Sequence, residues 1–286
     1  MLTRRSALLG GGALVVAGGA AVLTEGPRLR RVLHLEPESP HHVPSGPVGE
    51  LVSGSFFSAA MKTTTGWSIA YPHGTATGSR LPVLVTLHGR SGTHRSAFSD
   101  THLDRFLSAA VRSGVAPFAI ASVDGGNHSY YHPRADGTDP QRMIVDELLP
   151  VLAARGLRTD RIALGGISMG GYGALLLAER LGPSRVAVVA VDSPAVWQRW
   201  QDSAQGAFDG PQDFSAHDVI EASATLRGLP VRVTCGTSDP FLPGVRELLR
   251  KLPSAERELG PGAHNSAWWL HTAPAQLAFV GRHLTP

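Results

Sequence analysis

The sequence predicts an α/β fold, with a mostly parallel central sheet and helices on both faces. Short, continuous apolar runs recur from residue 50 onward, and each ends at Gly, Asp, Ser or Pro. Patterns typical of amphipathic helices separate these runs. Continuous apolar strands that alternate with helices indicate βαβ units, whose parallel sheet is buried on both faces.

The predicted elements follow one another in a regular order. The runs at 56–57 and 67–71 predict an opening antiparallel pair of strands. Further strands are predicted, in chain order, at 83–87, 118–123, 161–166, 186–191 and 231–235. Helices are predicted at 96–113, 140–156, 169–181, 243–252 and 268–284.

Polar residues fall at the carboxyl ends of the predicted strands. Parallel sheets bind their ligands at this edge. The residues that reach it are His88, Asp124, Ser168, Asp192 and Asp239.

Three segments are predicted along the chain: an export signal at 1–26, a proline-rich linker at 27–50 and a folded domain at 51–286. An Arg pair precedes an uncharged, apolar run at 6–24, which resembles a twin-arginine export signal. We therefore expect an exported protein, extracellular or associated with the cell envelope. The same run nearly suffices to span a bilayer, so transient or anchored membrane contact through 6–24 is an alternative to cleavage. An apolar N-terminus on a cytosolic protein is a further alternative.

Composition excludes several classes of protein. The formal net charge is only +3, which argues against a nucleic-acid partner. A single Cys excludes a disulfide framework and any zinc or iron–sulfur site built on cysteines. That residue, Cys235, ends a predicted strand, so we expect a buried packing role.

The segment Gly166-Ile167-Ser168-Met169-Gly170 matches the G-x-S-x-G pattern of a nucleophile elbow. A strand is predicted before it and a helix after it, which is the context that the pattern requires. The glycines permit a sharp turn, and the turn lifts Ser168 to the helix N-terminus, where negative charge is favoured. The alternative is a packing turn in which the serine only caps the helix.

A serine hydroxyl needs a base, and in this architecture the chain order is serine, acid, histidine. His264 lies in a Gly/Pro-rich loop before the last helix and is the predicted base. Asp239 follows the strand at 231–235 and is the predicted acid, with Asp192 as the alternative. The remaining downstream histidines are less favoured as the base: His217, His271 and His283.

The predicted oxyanion hole consists of two backbone N–H groups, from Met169 and from Arg90 in the loop after the 83–87 strand. Substrate contacts are predicted for side chains around this edge, with loop bracing and core packing as the alternatives. They are His88, Tyr130, His132, Trp197 and Trp268. No metal site is predicted, because Pro133 prevents His128 and His132 from pairing on a helix.

These residues resemble the α/β-hydrolase fold, and within it the "putative esterase" family of esterase D-like enzymes, feruloyl esterases and mycolyltransferases. The similarity covers about 50–284 and rests on His88-Gly89 and the segments 166–175, 192–194, 236–241 and 262–264. It implies carboxylic-ester hydrolysis through an acyl-enzyme. It also implies a Ser168–Asp239–His264 triad without a metal or organic cofactor.

We expect the substrate to be a small-molecule or envelope ester. Two departures from the family pattern make S-formylglutathione hydrolysis and mycolyl transfer less favoured. Esterase D enzymes that act on S-formylglutathione are cytosolic, whereas this chain carries an export signal. Mycolyltransferases place Glu as the acid and have Asp-Gly where this chain has His88-Gly89. Acyl transfer in the envelope is the first alternative function, and a non-catalytic binding protein on a hydrolase fold is the second.

Overall fold

A computed structural model describes residues 39–284. Within this range the strands form one eight-stranded sheet. The strands are β1 Leu51–Ser58, β2 Thr63–Ala70, β3 Pro82–Leu87, β4 Ala119–Val123, β5 Arg158–Ile167, β6 Val186–Asp192, β7 Val231–Gly236 and β8 Glu256–Gly260. The α-helices are α1 Ser96–Ser99, α2 Leu103–Arg112, α3 Pro140–Arg142, α4 Leu149–Ala154, α5 Met169–Leu181, α6 Pro211–Ala216, α7 Leu242–Lys251 and α8 Ser266–Leu284.

The strand order in the sheet is β1-β2-β4-β3-β5-β6-β7-β8. β2 pairs antiparallel with both β1 and β4, and every other neighbouring pair is parallel. The predicted mostly parallel sheet and its antiparallel opening are therefore confirmed. The carboxyl ends of β3, β5 and β7 lie along one edge, because these strands run in the same direction.

Alternate residues of the central strands enter two separate hydrophobic cores. Val83 and Val85 of β3 belong to the core under α4, α5 and α7, whereas Leu84 belongs to the core under α2 and α8. All five residues of β4 and all seven of β6 are buried. Helices thus cover both faces, as continuous apolar strands require.

Two predicted helices are interrupted. The helix predicted at 96–113 breaks at His102, whose φ of 49° is left-handed and incompatible with a continuous helix. The helix predicted at 140–156 contains a wider π-helical turn, Met143–Leu148, between α3 and α4. That turn ends just before Pro150, whose nitrogen carries no N–H for a regular helical hydrogen bond.

Part of the predicted linker packs against the folded domain. Ser39 is buried, and its hydroxyl donates to the carbonyl of Pro261 at 2.9 Å. Arg112 of α2 donates to the carbonyl of Pro47 at 2.7 Å. The predicted export signal lies outside the described residues. None of the helices between residues 39 and 284 is both long and apolar enough to cross a membrane.

Candidate active site

Ser168 lies in the sharp turn between β5 and α5, with φ 54° and ψ −118°. A non-glycine residue adopts this conformation only where the surroundings hold it, and such strain concentrates at functional sites. The turn requires glycine at Gly170, because a Cβ there would lie 1.9 Å from the carbonyl oxygen of Leu87. The helix start therefore presses against the end of β3, and Ser168 stands at the carboxyl edge of the sheet.

His264 joins Ser168 to Asp239 by two side-chain hydrogen bonds. Its Nε2 lies 2.9 Å from Ser168 Oγ, and its Nδ1 lies 2.8 Å from Asp239 Oδ2. The other carboxylate oxygen, Asp239 Oδ1, accepts from the backbone N–H of Phe241 at 2.8 Å. The structure thus brings together the three side chains predicted as nucleophile, base and acid.

The backbone holds the acid loop and the histidine loop against each other. The N–H of Thr237 donates to Gly260 O at 2.8 Å, and the N–H of Ser238 donates to Gly262 O at 2.9 Å. These bonds continue the pairing of β7 with β8 into the two loops. The separation of Asp239 and His264 is therefore fixed by the sheet.

This arrangement suits proton transfer from a hydroxyl. A histidine whose Nδ1–H is held by a carboxylate presents the Nε2 lone pair to its other partner. Here that partner is Ser168 Oγ. The Ser168 residue is 9% exposed, so the hydroxyl lies in a nearly dry environment where charge interactions are strong.

Asp192, the alternative acid, lies in a different polar cluster. Its Oδ1 accepts from the hydroxyls of Thr234 and Thr272. Burial raises the pKa of Asp192 to about 6. Among the described contacts none joins Asp192 to His264, so this carboxyl group supports the packing of α8 on β6 and β7.

The two predicted oxyanion donors come from the start of α5 and from the loop after β3, which lie next to each other. Met169 is the first residue of α5, so its N–H has no intrahelical acceptor. Arg90 lies in the loop after β3, where Ser91 has a left-handed φ of 64°. Within residues 39–284, neither of these N–H groups donates to a protein acceptor.

His88 braces the loop after β3, residues 88–92, from inside; this loop carries the predicted oxyanion donor Arg90 and is called the oxyanion loop below. Its Nε2 accepts from the Gly125 N–H at 2.9 Å, so its Nδ1 carries the proton and donates to Gly89 O at 2.7 Å. Burial lowers its pKa, which keeps the ring neutral. Both ring nitrogens are used and the residue is only 4% exposed, so the hydrogen bonds of His88 position the loop. Its predicted contact with a substrate stays a prediction.

His132 and Trp268, two other predicted contact residues, are also enclosed. His132 has no exposed surface, and its ring nitrogens face the carbonyls of Pro133 and Ala207 at 3.0 and 2.9 Å. Trp268 is 1% exposed and packs on Gly262. The prediction of substrate contact fails for both because the sequence does not show which side of a loop or helix faces the core.

Tyr130 and Trp197 belong to an aromatic wall that reaches His264. The ring centroids of His264 and Phe241 are 5.0 Å apart, and those of Phe241 and Trp197 are 5.4 Å apart. The ring centroids of Trp197 and Tyr130 are also 5.4 Å apart. Phe241 was not predicted as a site residue, although it follows the predicted acid Asp239 by only two residues and must lie near it.

Trp269 follows Trp268 at the start of α8 and lies against His264. Its ring meets the His264 ring edge-on, with centroids 5.4 Å apart. It also lines a cavity of about 190 Å³ together with the oxyanion loop, Thr101 and Ile167. Both tryptophans therefore border the loop that carries His264, since Trp268 packs on Gly262 and Trp269 meets the His264 ring.

Comparison with known proteins identifies the family. A family profile described as "Putative esterase" matches residues 58–272. The chain belongs to this esterase family. No curated protein matches the chain in sequence.

Solved structures share the fold of this esterase over most of its length. A ferulic acid esterase is 21% identical with a TM-score of 0.72, covering 82% of this chain and 98% of that one. Serine hydrolase F of Staphylococcus aureus, described as fluorophosphonate-binding, is 19% identical with a TM-score of 0.67, covering 82% and 99%. An S-formylglutathione hydrolase from Agrobacterium tumefaciens is 16% identical with a TM-score of 0.68, covering 87% and 99%.

The predicted α/β-hydrolase fold is therefore confirmed, as is membership of the esterase family. The protein is an enzyme that hydrolyses carboxylic esters, and the family points to small-molecule ester substrates.

Proposed function

We propose that this esterase works through an acyl-enzyme formed on Ser168, with His264 as the base and Asp239 as its partner. The observation that carries the proposal is the unbroken hydrogen-bond chain from Asp239 through His264 to Ser168 Oγ. A serine hydroxyl becomes a competent nucleophile when such a base accepts its proton.

The reaction proceeds in two halves. As Ser168 Oγ attacks the ester carbonyl carbon, its proton passes to His264 Nε2, and the N–H groups of Met169 and Arg90 hold the oxyanion. His264 then gives this proton to the departing alkoxide, which leaves as the alcohol. A water molecule attacks the acyl-enzyme in the same way and releases the carboxylic acid and free Ser168.

Asp239 stabilises the imidazolium that forms in each half-reaction and remains a carboxylate. Its hydrogen bond from the Phe241 N–H fixes the carboxylate plane. The ring of His264 therefore keeps one orientation while its Nε2 exchanges protons.

The cavity beside Trp269 receives one side of the ester. It borders the oxyanion loop, so a group bonded to the reacting carbonyl enters it directly. Its volume of about 190 Å³ suits a small substituent. Hydrolysis of p-nitrophenyl esters of increasing acyl length measures which length the cavity favours.

The Ser168→Ala variant tests the assignment of the nucleophile. We expect kcat/KM on p-nitrophenyl acetate to fall by at least about 10³-fold, with an unchanged circular dichroism spectrum. Ser215→Ala, on the exposed side of α6, is the matched control and retains full activity. Substantial turnover by Ser168→Ala would overturn the proposal.

Hydrolysis is distinguished from acyl transfer by the products. With glycerol as an added acceptor, we expect the free acid to remain the main product. A dominant glycerol ester would instead assign the enzyme to envelope acyl transfer.

A further inference from the structure

A second polar cluster lies apart from Ser168, between the loop after β4 and the short helix α6. It consists of His132, Asp213 and His217, each with one ligand-type atom within 4.8 Å of the others. His132 Nδ1 lies 3.7 Å from Asp213 Oδ1, and His217 Nδ1 lies 2.9 Å from the same oxygen. The side chain of His132 is fully buried, and those of Asp213 and His217 are 17% and 21% exposed.

The hydrogen bonds of His132 direct one of its lone pairs into the cluster. Its two ring nitrogens each lie near a backbone carbonyl, Nε2 at 2.9 Å from Ala207 O and Nδ1 at 3.0 Å from Pro133 O. In the tautomer with the proton on Nε2, the Nδ1 lone pair faces Asp213 Oδ1 at 3.7 Å, where a cation can bind it. Histidines that ligate metals characteristically donate their other ring N–H to a backbone carbonyl in this way.

Without an ion, the Nδ1–H of His217 donates to two acceptors, Asp213 Oδ1 and the backbone carbonyl of Asp213, each at 2.9 Å. His132 Nδ1 lies 3.7 Å from the same carboxylate oxygen and 3.0 Å from the carbonyl oxygen of Pro133. A divalent cation that displaces the His217 proton would bring these atoms together as its ligands.

The spacing fits a tetrahedral transition metal. Tetrahedral ligands bound to zinc at about 2.0–2.1 Å lie roughly 3.3 Å from one another. The separations of 2.9 and 3.7 Å around Asp213 Oδ1 bracket that value. Two imidazole nitrogens and one carboxylate form a donor set that suits zinc.

The surroundings support a fixed site. Phe208 stacks on His132 with ring centroids 5.2 Å apart, and the Tyr172 hydroxyl donates to His217 O at 2.5 Å. The nearby Arg134 guanidinium is paired with Asp209 at 2.7 Å, so its charge is balanced by a carboxylate outside the cluster.

We propose that His132, Asp213 and His217 bind one zinc ion, with Pro133 O or a water as the fourth ligand. The ion ties the loop that carries Tyr130 to the segment that carries Phe208. Its role is to hold the aromatic wall in place, separate from the chemistry at Ser168. No metal was predicted from the sequence, because His132 was paired there with His128 and its true partners lie in a distant segment.

Zinc titration of the full chain, purified without a polyhistidine tag, tests the site. We expect one equivalent of zinc to bind by calorimetry. His217→Gln and Asp213→Asn should each weaken zinc binding by more than about 100-fold. A residue that only hydrogen-bonds to a metal ligand would change the affinity by less than this. The control His128→Gln alters a nearby loop histidine and should bind zinc as the unmodified protein does.

Cobalt substitution gives a readout that does not depend on variants. We expect the unmodified protein with one equivalent of Co²⁺ to show the intense visible bands of a tetrahedral N/O site. The proposal is overturned if the unmodified protein binds neither ion, or if His217→Gln and Asp213→Asn fold and bind zinc with full affinity.

Discussion

Two carboxyl groups stand at the ends of neighbouring strands, and their hydrogen-bond partners separate their roles. Asp239 holds His264 Nδ1 at 2.8 Å, whereas Asp192 accepts from two threonine hydroxyls on β7 and α8. The sequence alone left both residues open as the acid, because each follows a strand at the same edge. The deciding fact is the pairing of β7 with β8, which delivers the histidine loop to Asp239.

Asparagine substitutions at the two positions test this separation. We expect Asp239→Asn to lower kcat by about 10⁴-fold, because the amide stabilises the wrong histidine tautomer and cannot balance an imidazolium. Asp192→Asn should keep kcat within a few-fold of the unmodified enzyme. Steady-state kinetics on a p-nitrophenyl ester measure both, and a larger loss in Asp192→Asn would reverse the assignment.

Helix α5, which begins directly after Ser168, carries a poorly solvated carboxyl group farther along its length. Its first residue, Met169, follows Ser168, and its third turn carries Glu179. Burial, and to a lesser degree the charge of Asp218, raise the pKa of Glu179 to about 8. One of its oxygens has no partner among the described residues, which explains why the charged form is disfavoured.

The pH dependence of stability should reveal this group. In the unfolded chain Glu179 titrates near 4.5, so between about pH 4.5 and 8 the folded state binds more protons than the unfolded state. Its contribution to the free energy of unfolding therefore falls as the pH rises through this range. Glu179→Gln removes that fall, so relative to the unmodified protein it should gain roughly 2–4 kcal/mol between pH 5 and pH 8.

Urea unfolding at the two pH values measures the difference. Glu247→Gln, a partly exposed carboxyl group on α7 that is paired with Arg250, is the control and should not show this gain. If the free energy of unfolding depends on pH equally in Glu179→Gln and in the unmodified protein, ionisation of the Glu179 carboxyl group does not destabilise the fold.

The positions of the strands and helices were predicted better than the contacts of the side chains on them. The central strands follow from continuous apolar runs, and the elbow follows from Gly166 and Gly170 around Ser168. The break at His102 was missed, because a left-handed residue in a helical pattern leaves no periodic signal. Trp268, predicted to contact substrate, packs on Gly262, whereas Trp269 lines the cavity, because adjacent helical residues point in different directions, which only packing resolves.

At the scale of the whole molecule, the sheet assembles the site from distant segments. Ser168, Asp239 and His264 come from the ends of β5, β7 and β8, and the oxyanion loop comes from the end of β3. The order of these strands in a parallel sheet makes this convergence predictable. The contacts of His132 with the 207–217 segment were not predictable, because loop packing has no repeating pattern.

We propose that the chain is exported in folded form through its N-terminal Arg pair, which lies outside the described residues. The Arg4→Lys, Arg5→Lys double variant should leave the full-length protein in the cytoplasm of its host. Cell fractionation and immunoblotting measure the distribution. The control Arg28→Lys, Arg30→Lys alters the linker and should be exported normally, and equal export of both variants would contradict the proposal.

The proposed nucleophile is Ser168, activated by His264. Labelling the full chain with a fluorophosphonate and mapping the adduct by peptide mass spectrometry tests it most directly. We expect one adduct, on the peptide that contains Ser168, abolished in Ser168→Ala and much slower to form in His264→Gln. An adduct on another residue, or no adduct on the folded protein, would contradict it.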